Sequence, residues 1–251
     1  MIYDVIVLGA TFAAAGIANH YGENCLILER RPQAGYEFLN ALSFGHNYSA
    51  LLETAEANHL YQKFADKGVF SDDRICLFKG AGALYQCLEG KNVLLNMELI
   101  SVKREQDLFE VVVHGVSGYR KYFAKRIIDT TVHPEMIQDK TLNLLLNNKN
   151  GEANPAVETT TEKWGYPGDI LIKIPVSREA GYIEARKKVK AFLETFLEGY
   201  KAVCVADCFA ATVSGSYPKE QDGIVLLPSV AFDNPLKAFD AGLLFARGGA
   251  R

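Results

Sequence analysis

Residues 3–16 and 25–29, YDVIVLGATFAAAG and CLILE, decide how the rest of the chain is read. The run from Val5 to Leu8 is apolar and rich in β-branched residues, as a strand buried on both faces requires. Gly9 suits a sharp turn off that strand, and the alanines after it suit the first turns of a closely packed helix. A strand, a glycine turn, a helix and an acid (Glu29) about 20 positions on together make a βαβ unit of the kind that holds a dinucleotide. The helix N-terminus offers unpaired N–H groups and partial positive charge to a pyrophosphate, and the acid accepts the ribose hydroxyls. In the pattern G-x-G-x-x-G the glycine positions fall on Gly9, Thr11 and Ala14, so only the first is kept. Ala14 still permits close helix packing, whereas Thr11 places a branched side chain where the pyrophosphate approaches. Two readings stay open: a nucleotide site in which the Thr11 hydroxyl helps bind phosphate, or a half-fold that kept its packing and lost its ligand.

Composition narrows the class. With 251 residues, 49% of them hydrophobic, the chain is long enough for one large α/β core with a small appended unit. A formal net charge of −3, with both signs interspersed, offers no basic stripe, so nucleic acid is not an expected partner. No apolar run has the length of a membrane span, and the first residues enter a strand with no charged leader, so the expectation is a soluble, cytoplasmic protein. Five cysteines without framework spacing read as reduced thiols. In AVCVADC, an extended strand would put Cys204 and Cys208 on one face about 13 Å apart, too far for a disulfide, and they read as small buried hydrophobes. The histidines at 20, 46, 59, 114 and 133 are scattered, and no metal site is expected.

Beyond Glu29 lies a loop rich in Gly, Pro and Asn, then a helical pattern from Ser49 to Lys67 closed by Gly68, and a short helix from Ala81 to Leu88 closed by Gly90. NVLLN reads as a buried strand. ELISVKRE, LFEVVVHG and YRKYFAKRIIDTT read as extended segments, giving an antiparallel meander and a further strand that ends at Asp129. From 133 the character changes: LLLNNKNGEANP reads as a loop or boundary, and VETTTEKW and DILIKIPV as strands. An amphipathic helix is predicted from Arg178 to Glu198, with Ser177 as N-cap, Gly199 as stop and a solvated face of Arg186, Lys187, Lys188 and Lys190. GIVLLPS then reads as a strand, and NPLKAFDAGLLFA as a helix capped by Asn234 with Pro235 in its first turn.

This order of elements resembles the glutathione-reductase-like FAD-binding proteins. The likeness is carried by YDVIVLGATFAAAG, LILERRPQAG, NVLLNMELISVKRE, RIIDTT and GIVLLPSVAFDNPLKAFDAGLLFA. It implies an α/β fold: a Rossmann-like three-layer FAD-binding domain, a parallel sheet plus an antiparallel meander, formed by 1–132 and 222–251. A small α+β substrate domain, 133–221, would be inserted in it. It also implies a compact FAD-dependent oxidoreductase acting on a small organic substrate, with a biosynthetic pathway as its setting.

Residue by residue, the resemblance sets Gly9, Thr11, Phe12 and Ala13 at the pyrophosphate and Glu29 at the adenosine ribose. Arg30 and Arg31 fall beside the adenosine or phosphate, Leu99 at the adenine edge and Gly35 along the ribityl chain. Thr130 belongs to the small-residue turn after the RIIDTT strand, and Ser229 to the place of a glycine-aspartate pair. Pro235 and Leu236 open the helix that points at the flavin pyrimidine. His46 and Tyr48 are the candidate acid, base or orienting donor, with His133 a second possibility. The family's glycines at 11, at 14 and after Thr130, and its aspartate before the last helix, are missing here. The alternative is therefore a non-catalytic relative of the flavin fold that acts as a binding or scaffold subunit. A third reading, an NAD-dependent dehydrogenase, fits the meander and terminal helix less well. No second nucleotide fingerprint follows the third strand, so reducing equivalents would come from the substrate or a protein redox partner; a homo-oligomer is the other partner considered.

Overall fold

The structure, a computed structural model, describes residues 1–71, 74–148, 163–166, 168–196 and 200–248. Strand β1 (Ile2–Leu8) turns into helix α1 (Phe12–Tyr21), and the chain returns as β2 (Cys25–Leu28). Next come α2 (Ala55–Asp66), the two-residue strands β3 (Phe70–Ser71) and β4 (Arg74–Ile75), α3 (Ala81–Leu88) and β5 (Asn92–Leu94). Then follow β6 (Glu98–Glu105), β7 (Leu108–Gly115), β8 (Gly118–Asp129), β9 (Ile137–Asn148) and β10 (Lys163–Trp164). The last part holds β11 (Asp169–Pro175), α4 (Tyr182–Phe196), β12 (Tyr200–Val205), β13 (Ala210–Val213), β14 (Lys219–Gln221), β15 (Ile224–Leu226) and α5 (Pro235–Ala246).

The largest sheet has the strand order β14-β15-β8-β1-β2-β5. Its neighbours pair in parallel except β14, which runs against β15. Because side chains alternate along a strand, each central strand feeds two cores. Val5, Val7, Cys25, Ile27 and Ile128 join the core under the helices, while Tyr3, Ile6, Leu8, Leu26, Leu28 and Ile127 pack against Phe109, Val111 and Val113 of β7. A one-residue slip in β1 would exchange the two sets, so the register is fixed from both faces.

On the helical side, α1 and α5 meet backbone to backbone. A Cβ added at Gly16 would stand 2.0 Å from the Phe239 carbonyl, and one at Gly242 would stand 2.1 Å from that of Ala13. This approach draws the start of α1 toward the segment that precedes α5.

A second sheet, β11-β9-β12 with β13 also on β9, is antiparallel throughout. Its Leu142, Leu144 and Leu146 belong to the same apolar core as the helices. Buried Asn143 ties it to the loop after β2, donating to the carbonyls of Ala41 (3.1 Å) and Leu42 (3.0 Å).

Several sequence expectations are corrected. The third meander strand and the strand ending at Asp129 are one: β8 pairs with β7 over its first half and with β1 over its second. Leu144–Asn148, read as part of a loop, closes β9, because the leucines find the helical core on one side of the new sheet; 149–155 lie outside the described residues. For VETTTEKW, only Lys163–Trp164 is described, paired with β4. Helix α2 starts at Ala55, well after Ser49, since the Asp240 carboxylate accepts from the Glu53 and Thr54 amides and the Thr54 hydroxyl and so fixes Thr54 as N-cap. Helix α4 starts at Tyr182, because Ser177 instead closes a turn in which its carbonyl accepts from the Ala180 amide; Gly199 lies outside the described residues. Cys204 and Cys208 share no strand face, since β12 ends at Val205 and carries an irregularity between Ala202 and Cys204.

Candidate functional site

The parallel sheet changes direction between β1 and β8, with β2 and β5 to one side and β15 to the other. In open α/β sheets the crevice outside the carboxyl ends of the strands at such a point is where ligands bind. Gly9, at φ +89°, takes the chain off β1. An added Cβ there would stand 2.6 Å from the Thr131 methyl, so the turns after β1 and β8 are already in contact. The hydroxyls close the seam: Thr11 Oγ1 donates to Thr130 Oγ1 at 2.8 Å, and Thr130 Oγ1 lies 2.9 Å from the Leu8 carbonyl. Thr11 is also the N-cap of α1, accepting from the Ala14 amide at 3.1 Å.

The next two amides of α1 would be the free donors of a dinucleotide cradle, and here both are engaged. Phe12 N–H donates to Glu37 Oε1 at 2.9 Å, Ala13 N–H reaches Ser229 Oγ at 3.4 Å, and the Ser229 hydroxyl donates to the same Glu37 oxygen at 2.9 Å. Glu37 therefore fills the place at the helix N-terminus that suits an anion. It is buried, and its Oε2 has no hydrogen-bond partner among the described residues. Burial pushes its pKa up to about 7, opposed by the hydrogen bonds from Phe12 and Ser229.

Glu29 is enclosed as well. Its two oxygens accept from the Ala10 amide (2.8 Å) and the Arg31 amide (2.7 Å), which brace the turn after β1 against the end of β2. Burial raises its pKa, and those amides pull it back.

Between this edge and the second sheet lies a cavity of about 230 Å³. Thr11, Glu37, Thr130 and Thr131 form one wall; Ile137, Lys140 and Ala211 come from the second sheet, and Cys208 and Phe209 from the turn that joins β12 to β13. The Arg31 guanidinium lies over the Tyr36 ring at 4.3 Å, and Lys140 Nζ over the Phe209 ring at 4.0 Å, so both cations lining the cavity rest on aromatic faces.

Of the residues singled out from the sequence, Gly9, Thr11, Phe12, Ala13, Glu29, Arg31, Thr130 and Ser229 gather around the α1 N-terminus. Gly35 stands close by and donates to the Ala10 carbonyl, but its Cα faces Leu84 and Phe12. Arg30 points outward to Glu98 at 3.6 Å. Leu99 pairs with Val113 in the meander, while the backbone of Glu29 meets Leu94 and Met97 instead. His46, Tyr48, Pro235 and Leu236 form a separate group at the start of α5. There His46 faces Asp233 at 3.5 Å and Tyr48 donates to the Phe44 carbonyl at 2.5 Å. The α5 amides of Leu236 and Lys237 are capped by Asn234 Oδ1, each at 3.0 Å. His133 Nε2 lies 2.8 Å from Asp129 Oδ2, and donation from the protonated ring to that carboxylate raises its pKa. Glu37 was not singled out by the sequence: a lone acid among Tyr36, Phe38 and Leu39 carries no local pattern, and only the fold takes it to α1. The described residues hold no group of three or more His, Cys, Asp or Glu that could bind a metal, and no helix among them is long and apolar enough to cross a membrane.

No protein-family model and no curated protein matches the chain. Solved structures do. BexE, which belongs to studies of oxidation in BE-7585A biosynthesis, matches over 100% of this chain at TM-score 0.58 and 15% identity. The p-nitrophenol 4-monooxygenase PnpA of Pseudomonas putida matches over 98% at TM-score 0.60 and 11% identity, covering 77% of its own length. Aklavinone-11 hydroxylase, solved in a ternary complex with FAD and aklavinone, matches over 98% at TM-score 0.58 and 11% identity. This chain has the fold of the FAD-binding monooxygenases. It spans 64% of the BexE chain and 61% of the aklavinone hydroxylase.

FAD does not fit the arrangement at α1. On the resemblance, its diphosphate would meet the Phe12 and Ala13 amides, and these are held by Glu37 and Ser229. The cavity, at 230 Å³, is also below the roughly 300–1,000 Å³ of pockets for drug-sized ligands, and FAD is larger than those.

Proposed function

We propose that this chain is a non-catalytic relative of the flavin monooxygenases, a small-molecule-binding subunit built on their fold, in which a carboxylate of the protein stands where the cofactor's diphosphate would lie. The observation that carries this reading is the bond from Phe12 N–H to Glu37 Oε1, with Ser229 donating to the same oxygen. A serine takes the place of the aspartate that the resemblance expects before the last helix, and it serves Glu37 rather than a ribityl chain. The losses at Thr11 and Ser229 and the gain at Glu37 thus describe one substitution of ligand by side chain. In this reading 1–132 and 222–251 form the Rossmann-like three-layer domain, and 133–221 form the inserted unit whose sheet roofs the cavity.

A second reading is favoured by the match of the fold over nearly the whole chain: an FAD-dependent oxidoreductase acting on a small organic substrate in a biosynthetic pathway, with a protein redox partner as its source of electrons. The two readings part on one measurement. Purified wild-type protein is expected to be colourless and to show no flavin quenching on titration with FAD, while Glu37→Gly, which vacates the Phe12 amide, is expected to gain affinity for ADP. Flavin bands in the purified wild type would overturn the first reading and establish the second.

A further inference from the structure

We propose that the groove between helices α2 and α3 is a binding site for a small phosphorylated polyol, of the sugar-phosphate class, its phosphate held between Lys63 and Lys91 and its hydroxyls by Asn19 and Gln86. This groove shares no lining residue with the cavity at the sheet edge, so the inference stands apart from the reading of the flavin fold. Its volume of about 480 Å³ falls within the roughly 300–1,000 Å³ of small-molecule pockets.

Two helix ends bring the cations together. Lys63 lies in the last turn of α2 and Lys91 just past α3, where the partial negative charge of a helix end favours an ammonium. A helix end accounts for the charge but not for its direction. Both lysines act on one half-buried thiol, Cys87, whose pKa is raised by burial and lowered by Lys63 and Lys91. Lys91 also acts on buried Cys25 at the start of β2, so its ammonium reaches inward rather than into solvent. Neither lysine has an ion pair or a side-chain hydrogen bond among the described residues. Of the two acids that line the groove, Glu56 is spent on Arg247, and exposed Glu89 bonds neither lysine. Two half-buried like charges thus converge with no acid bound to either, and an incoming anion of more than one negative charge relieves their repulsion.

The lining selects the anion. A phosphate monoester carries about −1.5 to −2 charges at neutral pH and three acceptor oxygens, enough to meet both ammoniums, whereas a monocarboxylate would answer one. His59, one helical turn before Lys63, adds a ring nitrogen to the same wall. Away from the cations, Asn19 of α1 and Gln86 of α3 present side-chain amides with no hydrogen bond among the described residues, each able to donate to and accept from a hydroxyl. The apolar floor, Leu60 and Phe239, is only 1% and 2% exposed, so a wide aromatic body would find little to cover. A polyol matches the amides, and a phosphate matches the lysines.

The test is isothermal titration of the full chain with ribose 5-phosphate, ribose and inorganic phosphate at fixed ionic strength. Ribose 5-phosphate is expected to bind, inorganic phosphate at least about tenfold more weakly, and ribose not at all. Lys63→Gln and Lys91→Gln should each lose about tenfold in ribose 5-phosphate affinity, the worth of a hydrogen bond to a charged group. Gln86→Ala should narrow the gap between ribose 5-phosphate and phosphate, since it removes a contact to the polyol alone. Lys67→Gln, at the same end of α2 but outside the groove lining, should be unaltered. Circular dichroism verifies that the variants fold. No binding of ribose 5-phosphate, ribose or phosphate as tight as the ester, unaltered Lys63→Gln and Lys91→Gln, or an equal loss in Lys67→Gln would overturn the proposal.

Discussion

Helices α1 and α5 both begin at the carboxyl edge of the large sheet, and their N-termini are satisfied in opposite ways. At α5 the cap is local: Asn234 accepts from the amides two and three residues on, and its own amide donates to the His46 and Asn47 carbonyls. At α1 the local cap, Thr11, serves only Ala14, and the next two amides are met by Glu37 and Ser229, which lie 25 and 216 positions from them. A short-range cap stabilises a helix. A long-range one also decides what else can bind there, because it fills the position an external anion would take.

That difference gives the largest expected effect. Glu37 has its pKa raised to about 7, so between the ordinary glutamate range and pH 7 the folded chain keeps a proton that the unfolded chain has lost. Stability is therefore greatest at the acid end of that window and falls as pH rises through about 7, by about 3 kcal/mol for a shift of this size. His133, raised by its bond to Asp129, acts with the same sign: its contribution is complete below its unfolded pKa and is lost as pH rises through the folded one. Glu37→Gln keeps an oxygen for Phe12 and Ser229 but cannot ionise. Melting temperatures from pH 5 to 8 are expected to fall in the wild type and to flatten in this variant; an equal slope in both would place the titrating group elsewhere.

The two caps themselves come next. Ser229→Ala removes a hydrogen bond to a buried carboxylate oxygen and should cost about 1–3 kcal/mol. Asn234→Ala removes a buried cap together with its bonds to the His46 and Asn47 carbonyls, and should cost about 1–2 kcal/mol. Urea unfolding of the two variants orders them, and a larger loss for Asn234→Ala would mean that the long-range cap is the weaker. The smallest effect is expected at Arg30, whose pair with Glu98 stands in solvent at 3.6 Å. Arg30→Ala should change stability by less than about 1 kcal/mol.

The α/β scaffold was legible where local rules apply. The apolar run of β1, the alanines of α1, the Ala81–Leu88 helix, the meander and the Asn234-Pro235 start of α5 each follow from periodicity or capping within a few residues. The misreadings lie where a distant partner overrules the local pattern. Asp240, from α5, moves the start of α2 to Thr54, and the core under the helices turns a leucine-asparagine run into β9.

The candidate site divides along the same line. Sequence alone determined that a strand, turn and helix stand ready to receive an anion at Phe12 and Ala13, because N–H groups at a helix start are left unpaired by the geometry of the helix itself. Which anion arrives there was decided by tertiary structure. The loop after β2 and the segment before α5 fold back onto α1 and deliver Glu37 and Ser229 to it. A carboxylate carried within the chain meets those donors at a high effective concentration, with no separate molecule to immobilise, and that advantage depends on distance in space rather than on spacing in the sequence.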